Sequence, residues 1–245
     1  MNHEEYGLFL LMISCIILAV IIARLILGIL ARIRCGRDLA GKVSLYVLLT
    51  SISSLLSMFS RSNLLIRYCF TSQKALMGYI TASGYIGIAA FALTVAANYL
   101  LADYCRKKYG AGIRIAVMSL ILATPVVNTV LSHLTIGLVT ADKNYELYNA
   151  ITSLPRLLTI AAGVLLAVVF TRNRSREDVF RSIFILFLIA ASVSGVHMLM
   201  NILIYHIPEI IYYLIDLVLA FCPLALAIYV FVCSGRVRSK GIAEE

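Results

Sequence analysis

The sequence predicts an all-α, polytopic membrane protein: a single seven-transmembrane helix bundle with its N-terminus outside the membrane and its C-terminus inside. Of the 245 residues, 62% are hydrophobic and 13% are charged, and the mean hydropathy is +0.96. A soluble core cannot bury that much apolar surface. The net charge of +9 falls in short gaps between apolar segments, which indicates membrane topology rather than a nucleic-acid partner.

Seven apolar segments are long enough for membrane-spanning helices, which need about 20 residues. They cover residues 7–31, 43–60, 77–102, 113–139, 150–171, 182–205 and 210–233. The second is the weakest, because Ser51, Ser53, Ser54 and Ser57 dilute its apolar character. Without it the count would fall to six.

The third segment carries small residues in its first half, among them Gly84 and Gly87. Small side chains let membrane helices approach closely, so we expect this helix to pack tightly against several neighbours. Proline interrupts three other segments, and we expect kinks at Pro125, Pro155 and Pro223.

The lysines and arginines give the orientation. Fifteen of the 21 lie in the first, third and fifth gaps and the C-terminal tail, against four in the other gaps. Basic residues concentrate on the cytosolic side, which predicts an external N-terminus and a cytosolic C-terminus. An odd number of spans fits this arrangement.

Ionisable and polar residues lie in the outer halves of three predicted spans. Inside a membrane a charged group costs about 3 kcal/mol, so such residues are candidates for function. They could line a cavity for a small extracellular ligand, pair with one another to stabilise the bundle, or form a proton or ion path. The candidate ligand-binding residues are Asp216, Arg156, His197, Asn201, Tyr212 and Tyr213.

Arg24 is a charged residue in the inner half of the first predicted span. It is too far along the membrane normal to contact Asp216 directly. We expect its side chain to snorkel to the cytosolic interface, as long cationic side chains do.

A basic cluster follows the third span and is predicted to face the cytosol. It could dock an acidic or helical partner. Alternatively, its basic residues could fix the orientation of the chain in the membrane and bind anionic lipids. The candidate partner-facing residues are Asn98, Tyr99, Arg106, Lys107 and Lys108, together with Tyr229 near the end of the last span.

Sequence signatures of catalysis are missing. There is no His-Glu-x-x-His, no Gly-x-Ser-x-Gly and no phosphate-binding glycine loop. We therefore expect no enzyme activity, no cofactor and no metal site.

Three short motifs lie near the ends of predicted spans: residues 45–53 read LYVLLTSIS, residues 91–100 read FALTVAANYL and residues 225–229 read ALAIY. They resemble parts of the second, third and seventh helices of the rhodopsin-like (class A) G-protein-coupled receptors, loosely of the odorant or chemoreceptor type. In this resemblance Ala97-Asn98-Tyr99 stands where the family has Asp-Arg-Tyr, and Tyr229 ends the equivalent of Asn-Pro-x-x-Tyr.

The resemblance is degenerate. Asn98 replaces the arginine of the triplet, Ala225 and Leu226 replace the asparagine and proline, and the chain has no tryptophan. Cys69 is the one cysteine predicted to lie outside, so the external disulfide of the family cannot form.

The resemblance implies a plasma-membrane receptor that senses a small extracellular ligand and signals to a cytosolic partner, a heterotrimeric G protein. Two alternatives stay open. One is a small transporter or channel that uses Asp216, Arg156 and His197 as its pathway. The other is a non-signalling relative that acts as a decoy.

Overall fold

The computed structural model describes residues 3–35, 39–60, 73–109, 111–140, 147, 150–151, 154–172, 189, 192–193, 195–196 and 209–243. Apart from one turn, this part of the chain is helical and contains no strand. The helices are α1 (His3–Cys35), α2 (Leu39–Ser60), α3 (Gln73–Tyr109), α4 (Ala111–Thr140), α5 (Arg156–Arg172) and α6 (Glu209–Ala243). The predicted all-α class is confirmed.

Four candidate membrane spans occur within these helices. They are Leu11–Cys35, Gly41–Phe59, Met77–Tyr104 and Leu217–Gly235. The second apolar segment was the weakest prediction because of its serines. It forms a 22-residue helix that contains one of the four candidate spans. The sixth predicted segment, 182–205, lies almost entirely outside the described residues. A seven-span count and the orientation of the termini therefore stay predictions.

The chain divides into two compact units. Unit one comprises Met1–Leu101 and Val230–Glu245, and unit two comprises Ala102–Tyr229. In unit one α1 packs against α2, and in unit two α4 packs against α5. Unit one holds the interhelical contacts that matter for the site described below.

The α1–α2 contact is close because it is built on a glycine. A Cβ atom placed on Gly28 would lie 3.3 Å from the backbone N and Cα of Leu48 and 3.5 Å from Cγ1 of Val47. In membranes, where lipid is as apolar as leucine, such close approach supplies the dispersion contacts that hold helices together. Gly28 thus sets how near α2 comes to α1.

The expected close packing around the glycines of α3 is not found. No atom of the described residues lies within 4 Å of a Cβ placed on Gly84 or Gly87. At these two positions α3 therefore has no close neighbour among the described residues. Hydrogen bonds join it to α2: the hydroxyl of Tyr79 donates to the carbonyl oxygen of Phe59 at 2.6 Å, and Ser53 of α2 bonds to Ala90 and Thr94 of α3.

The C-terminal end of α1 contacts the last turns of α6 within unit one. The guanidinium of Arg34 lies 4.1 Å from the centre of the Phe231 ring, and Gly235 faces its Nη1. A cation over an aromatic face is attracted by the ring quadrupole, with a typical strength of about 1 kcal/mol. This contact attaches the end of α6 to α1.

The prediction of a helix kink at Pro155 is wrong, because this residue precedes α5 and does not interrupt it. It lies in a turn in which the amide of Leu157 donates to the carbonyl oxygen of Leu154 at 2.9 Å. Proline is tolerated at such a start, where its missing N–H needs no helical acceptor. Pro223, in contrast, lies inside α6 as expected.

Replacing Gly28 tests the α1–α2 contact. We expect Gly28→Leu to lower the free energy of unfolding by about 1–3 kcal/mol, because the added side chain meets α2 backbone atoms that cannot move independently. Thermal unfolding of the purified protein in detergent measures this. The control is Gly84→Leu, which enters open space and should change stability by less than about 0.5 kcal/mol. Equal effects of the two substitutions would contradict the close contact.

Candidate functional site

Arg24 lies near the middle of the candidate span Leu11–Cys35 and is buried within unit one. Its side chain is 5% exposed. Nη1 donates to the hydroxyl oxygen of Ser54 at 3.4 Å, and the buried Nε has no hydrogen-bond partner among the described residues. The expectation that Arg24 snorkels to the cytosolic interface is therefore wrong.

The direction of the Arg24 side chain follows from helix geometry. The Cα–Cβ bonds of a helix tilt toward its N-terminus, so Arg24 extends away from the C-terminal end of α1. Helix α2 runs antiparallel to α1, as the pairs Gly28–Leu48 and Arg24–Ser54 show. This direction and the close approach at Gly28 place Ser54 beside the guanidinium.

Ser54 is oriented as an acceptor. Its hydroxyl donates to the carbonyl oxygen of Thr50 at 2.8 Å, which leaves the oxygen lone pairs for Arg24. Thr50 in turn donates to the carbonyl oxygens of Tyr46 at 2.9 Å and Val47 at 3.0 Å. Bonding of this kind to the preceding helical turn satisfies a hydroxyl where no water is available. The polar face of α2 is thus largely satisfied within the helix.

The neighbouring Ser53 points to α3. Its hydroxyl lies 2.7 Å from the carbonyl oxygen of Ala90 and 2.7 Å from Oγ1 of Thr94. One turn further on, the side-chain amide of Asn98 donates to the carbonyl oxygen of Thr94 at 2.8 Å. Consecutive residues on a helix differ by about 100° in direction, so Ser53 and Ser54 bind different neighbouring helices.

Together these residues form two sets of polar contacts that start from adjacent positions of α2, and we call them the polar seam. It joins α1 to α2 and α2 to α3 without an acidic side chain among its members. The polar seam consists of Arg24, Ser53, Ser54, Thr94 and Asn98. Polar groups inside a membrane are expensive unless they are satisfied by one another, so the contacts restrict how the three helices can slide.

The serines of the second segment were misjudged by sequence reasoning, which counted them only against a membrane span. The signal that identifies them is the combination of Ser and Thr residues three or four positions apart with an intramembrane charge in the preceding helix. Thr50 and Ser54 have this spacing. Such residues hydrogen-bond across and along membrane helices.

The predicted ligand-binding residues are distributed over α5, α6 and the sixth segment. Asp216, Tyr212 and Tyr213 lie in the first turns of α6. Arg156 is the first residue of α5 and follows directly on the turn at Leu154 and Pro155. His197 and Asn201 lie outside the described residues. That these side chains meet in one cavity stays a prediction.

The predicted partner-facing residues lie on α3 and α6. The amide of Asn98 is bonded to the helix that carries it, while Tyr99 is 48% exposed. Arg106, Lys107 and Lys108 lie in the last turn of α3, and Tyr229 is half-buried in α6. Within the described ranges, no group of three or more His, Cys, Asp or Glu residues is placed to hold a metal ion.

Comparison with known proteins gave no match: neither a family model, nor a curated protein, nor a solved structure is similar to this chain.

The hydrogen bond between Ser53 and Thr94 can be measured with a double-mutant cycle. We expect Ser53→Ala and Thr94→Val to be coupled by about 0.6 kcal/mol in the free energy of unfolding, and by at most about 1.7 kcal/mol. The measurement is unfolding of both single variants and the double variant. The control cycle combines Ser53→Ala with Thr81→Val, because the hydroxyl of Thr81 donates to the carbonyl oxygen of Met77 in its own helix. Coupling in the control but not in the first cycle would contradict the α2–α3 contact.

Proposed function

We propose that the chain is a seven-transmembrane, receptor-like protein that senses a small extracellular ligand and signals to a cytosolic partner, with a heterotrimeric G protein as the partner. The observation that carries the proposal is the polar seam. It couples three helices through a few hydrogen bonds inside an otherwise apolar unit, and α3 contains both seam residues and the basic cluster at its C-terminal end.

The proposed topology follows the distribution of Lys and Arg, with the N-terminus outside and the C-terminus inside. The plasma membrane is the location that sensing an extracellular ligand would require. In this orientation the N-terminal end of α5 faces outward. Arg156, as the first residue of α5, would then lie at the external mouth of the bundle, accessible to a ligand from solution. Asp216 in the first turns of α6 would lie on the same side.

The proposed signal is a shift of α3 relative to α2. Each interhelical hydrogen bond in a membrane is worth about 0.6 kcal/mol on average, so exchanging the Ser53–Thr94 contact for another arrangement costs little. A ligand that binds one arrangement more tightly shifts the population by its differential affinity. Because α3 is continuous from Gln73 to Tyr109, the shift would reach Arg106, Lys107 and Lys108.

The basic cluster then provides the cytosolic contact. Three cationic residues in the last turn of α3 would complement an acidic surface, and, following Asn98 and Tyr99, they would stand where a receptor of the proposed topology contacts its partner. Transport and a decoy role are the competing proposals. They differ from the receptor in an observable way, because neither requires the basic cluster for activation of a partner.

The test is ligand-independent G-protein activation in cells that express the chain. We expect basal activation above that of untransfected cells, and we expect the triple variant Arg106→Ala, Lys107→Ala, Lys108→Ala to lose at least half of it. Surface levels are matched by an N-terminal epitope tag. Activation is recorded for each G-protein class.

The control variant removes the same charge from the opposite side of the membrane: Arg61→Ala, Arg67→Ala, Lys74→Ala. It should activate like the unmodified chain. Absence of activation with every G-protein class, or equal loss in both triple variants, would refute coupling through the basic cluster. Solute flux that Asp216→Asn abolishes would then support the transporter.

A further inference from the structure

Arg24 is a buried cation with no counter-charge among the described residues of unit one, and we propose that its guanidinium is the binding site for a small monovalent anion, either a halide or a carboxylate group. The proposal concerns a site on α1 and α2, separate from the ligand-binding residues on α5 and α6. It does not depend on G-protein coupling.

The described part of unit one supplies no negative charge to Arg24. Its acidic residues are Glu4 and Glu5, in the first turn of α1. At 1.5 Å per residue, these lie about 30 Å from Arg24 along the helix axis. No carboxylate of the described residues of unit one can therefore form an ion pair with the guanidinium.

Neutral groups satisfy Arg24 only in part. The contact from Nη1 to Ser54 is 3.4 Å, which is long for a hydrogen bond from a charged donor, where about 2.7–2.9 Å is usual. Tyr46 lies close enough to interact electrostatically with Arg24, but a phenol is uncharged at physiological pH. The positive charge is thus solvated weakly and neutralised by none of these groups.

The unpartnered Nε identifies the side from which an anion binds. In a planar guanidinium the Nε–H bond and one N–H of Nη2 point the same way and form a two-pronged donor. Nη1, which contacts Ser54, donates on the opposite side. The buried Nε has no acceptor among the described residues, and a carboxylate or a halide at this edge would accept its N–H bond.

Energetics favour an anion at this edge. Removing a charge from water costs several kcal/mol even after relaxation, and an uncompensated buried charge is among the most destabilising features of a protein. An anion against the guanidinium neutralises the charge and satisfies Nε together. Because the anion binds only where α1 and α2 are packed, it stabilises the folded protein by mass action.

The experiment measures thermal unfolding of the full chain in nanodiscs. Chloride is titrated against methanesulfonate at constant ionic strength, and in a second arm oleate is titrated without chloride. We expect a rise in the unfolding midpoint of about 3–6 °C at a tenfold excess over Kd, from at least one of the two probes. A rise with chloride alone assigns a halide, and a rise with oleate alone assigns a carboxylate.

Two variants locate the effect. Arg24→Gln should lose the rise, whereas Arg32→Gln, which removes the same charge from the same helix, should keep it. An equal rise in the protein and in Arg24→Gln would overturn the assignment, because the anion would act elsewhere.

A direct binding measurement covers the case in which Arg24→Gln does not fold. Saturable binding of radioactive chloride or oleate to the unmodified protein in nanodiscs is expected, with a stoichiometry near one. Absence of saturable binding of both probes would overturn the proposal and leave water as the acceptor of the Nε proton.

Discussion

The burial of Arg24 is the constraint on which the arrangement of α1, α2 and α3 depends. A guanidinium in the middle of an apolar helix needs acceptors, and hydrocarbon supplies none. Gly28 brings α2 close enough for Ser54 to reach it, and the adjacent Ser53 carries the polar contacts on to Ala90 and Thr94 of α3. One charged residue and one glycine thus explain why a serine-rich helix packs between two others.

This arrangement gives unit one an interior that is specific without being rigid. Apolar helices in lipid slide past one another at little cost, whereas hydrogen bonds fix the register of the helices that share them. Each such bond is weak enough to be exchanged when a ligand favours another register. The proposed receptor would need both properties, and α3 also carries the basic cluster in its last turn. Binding of the anion proposed at Arg24 would give a second way to change the packing of the same helices.

The helices themselves were predictable from the sequence, because long apolar segments between short basic gaps admit few other structures. All six described helices lie where apolar segments predicted them. The polar seam was not predicted, since the sequence shows neither the direction of the Arg24 side chain nor which glycine makes the close contact. Gly84 and Gly87 face open space while Gly28 does not, a difference that only the packing of the helices reveals. The outer ligand site was inferred from charge alone, and its residues on α5 and α6 stay a prediction.

The most direct measurement of the central claim is hydrogen exchange at Nε of Arg24. In protein labelled with ¹⁵N-arginine and reconstituted in nanodiscs, the resonance is assigned by its loss in Arg24→Gln. A guanidinium held inside the polar seam should exchange its Nε proton with deuterated water on the order of 100-fold more slowly than an exposed arginine, since exchange requires local opening of the packed helices. Exchange at the rate of an exposed arginine would show that Arg24 reaches water, and it would contradict the account.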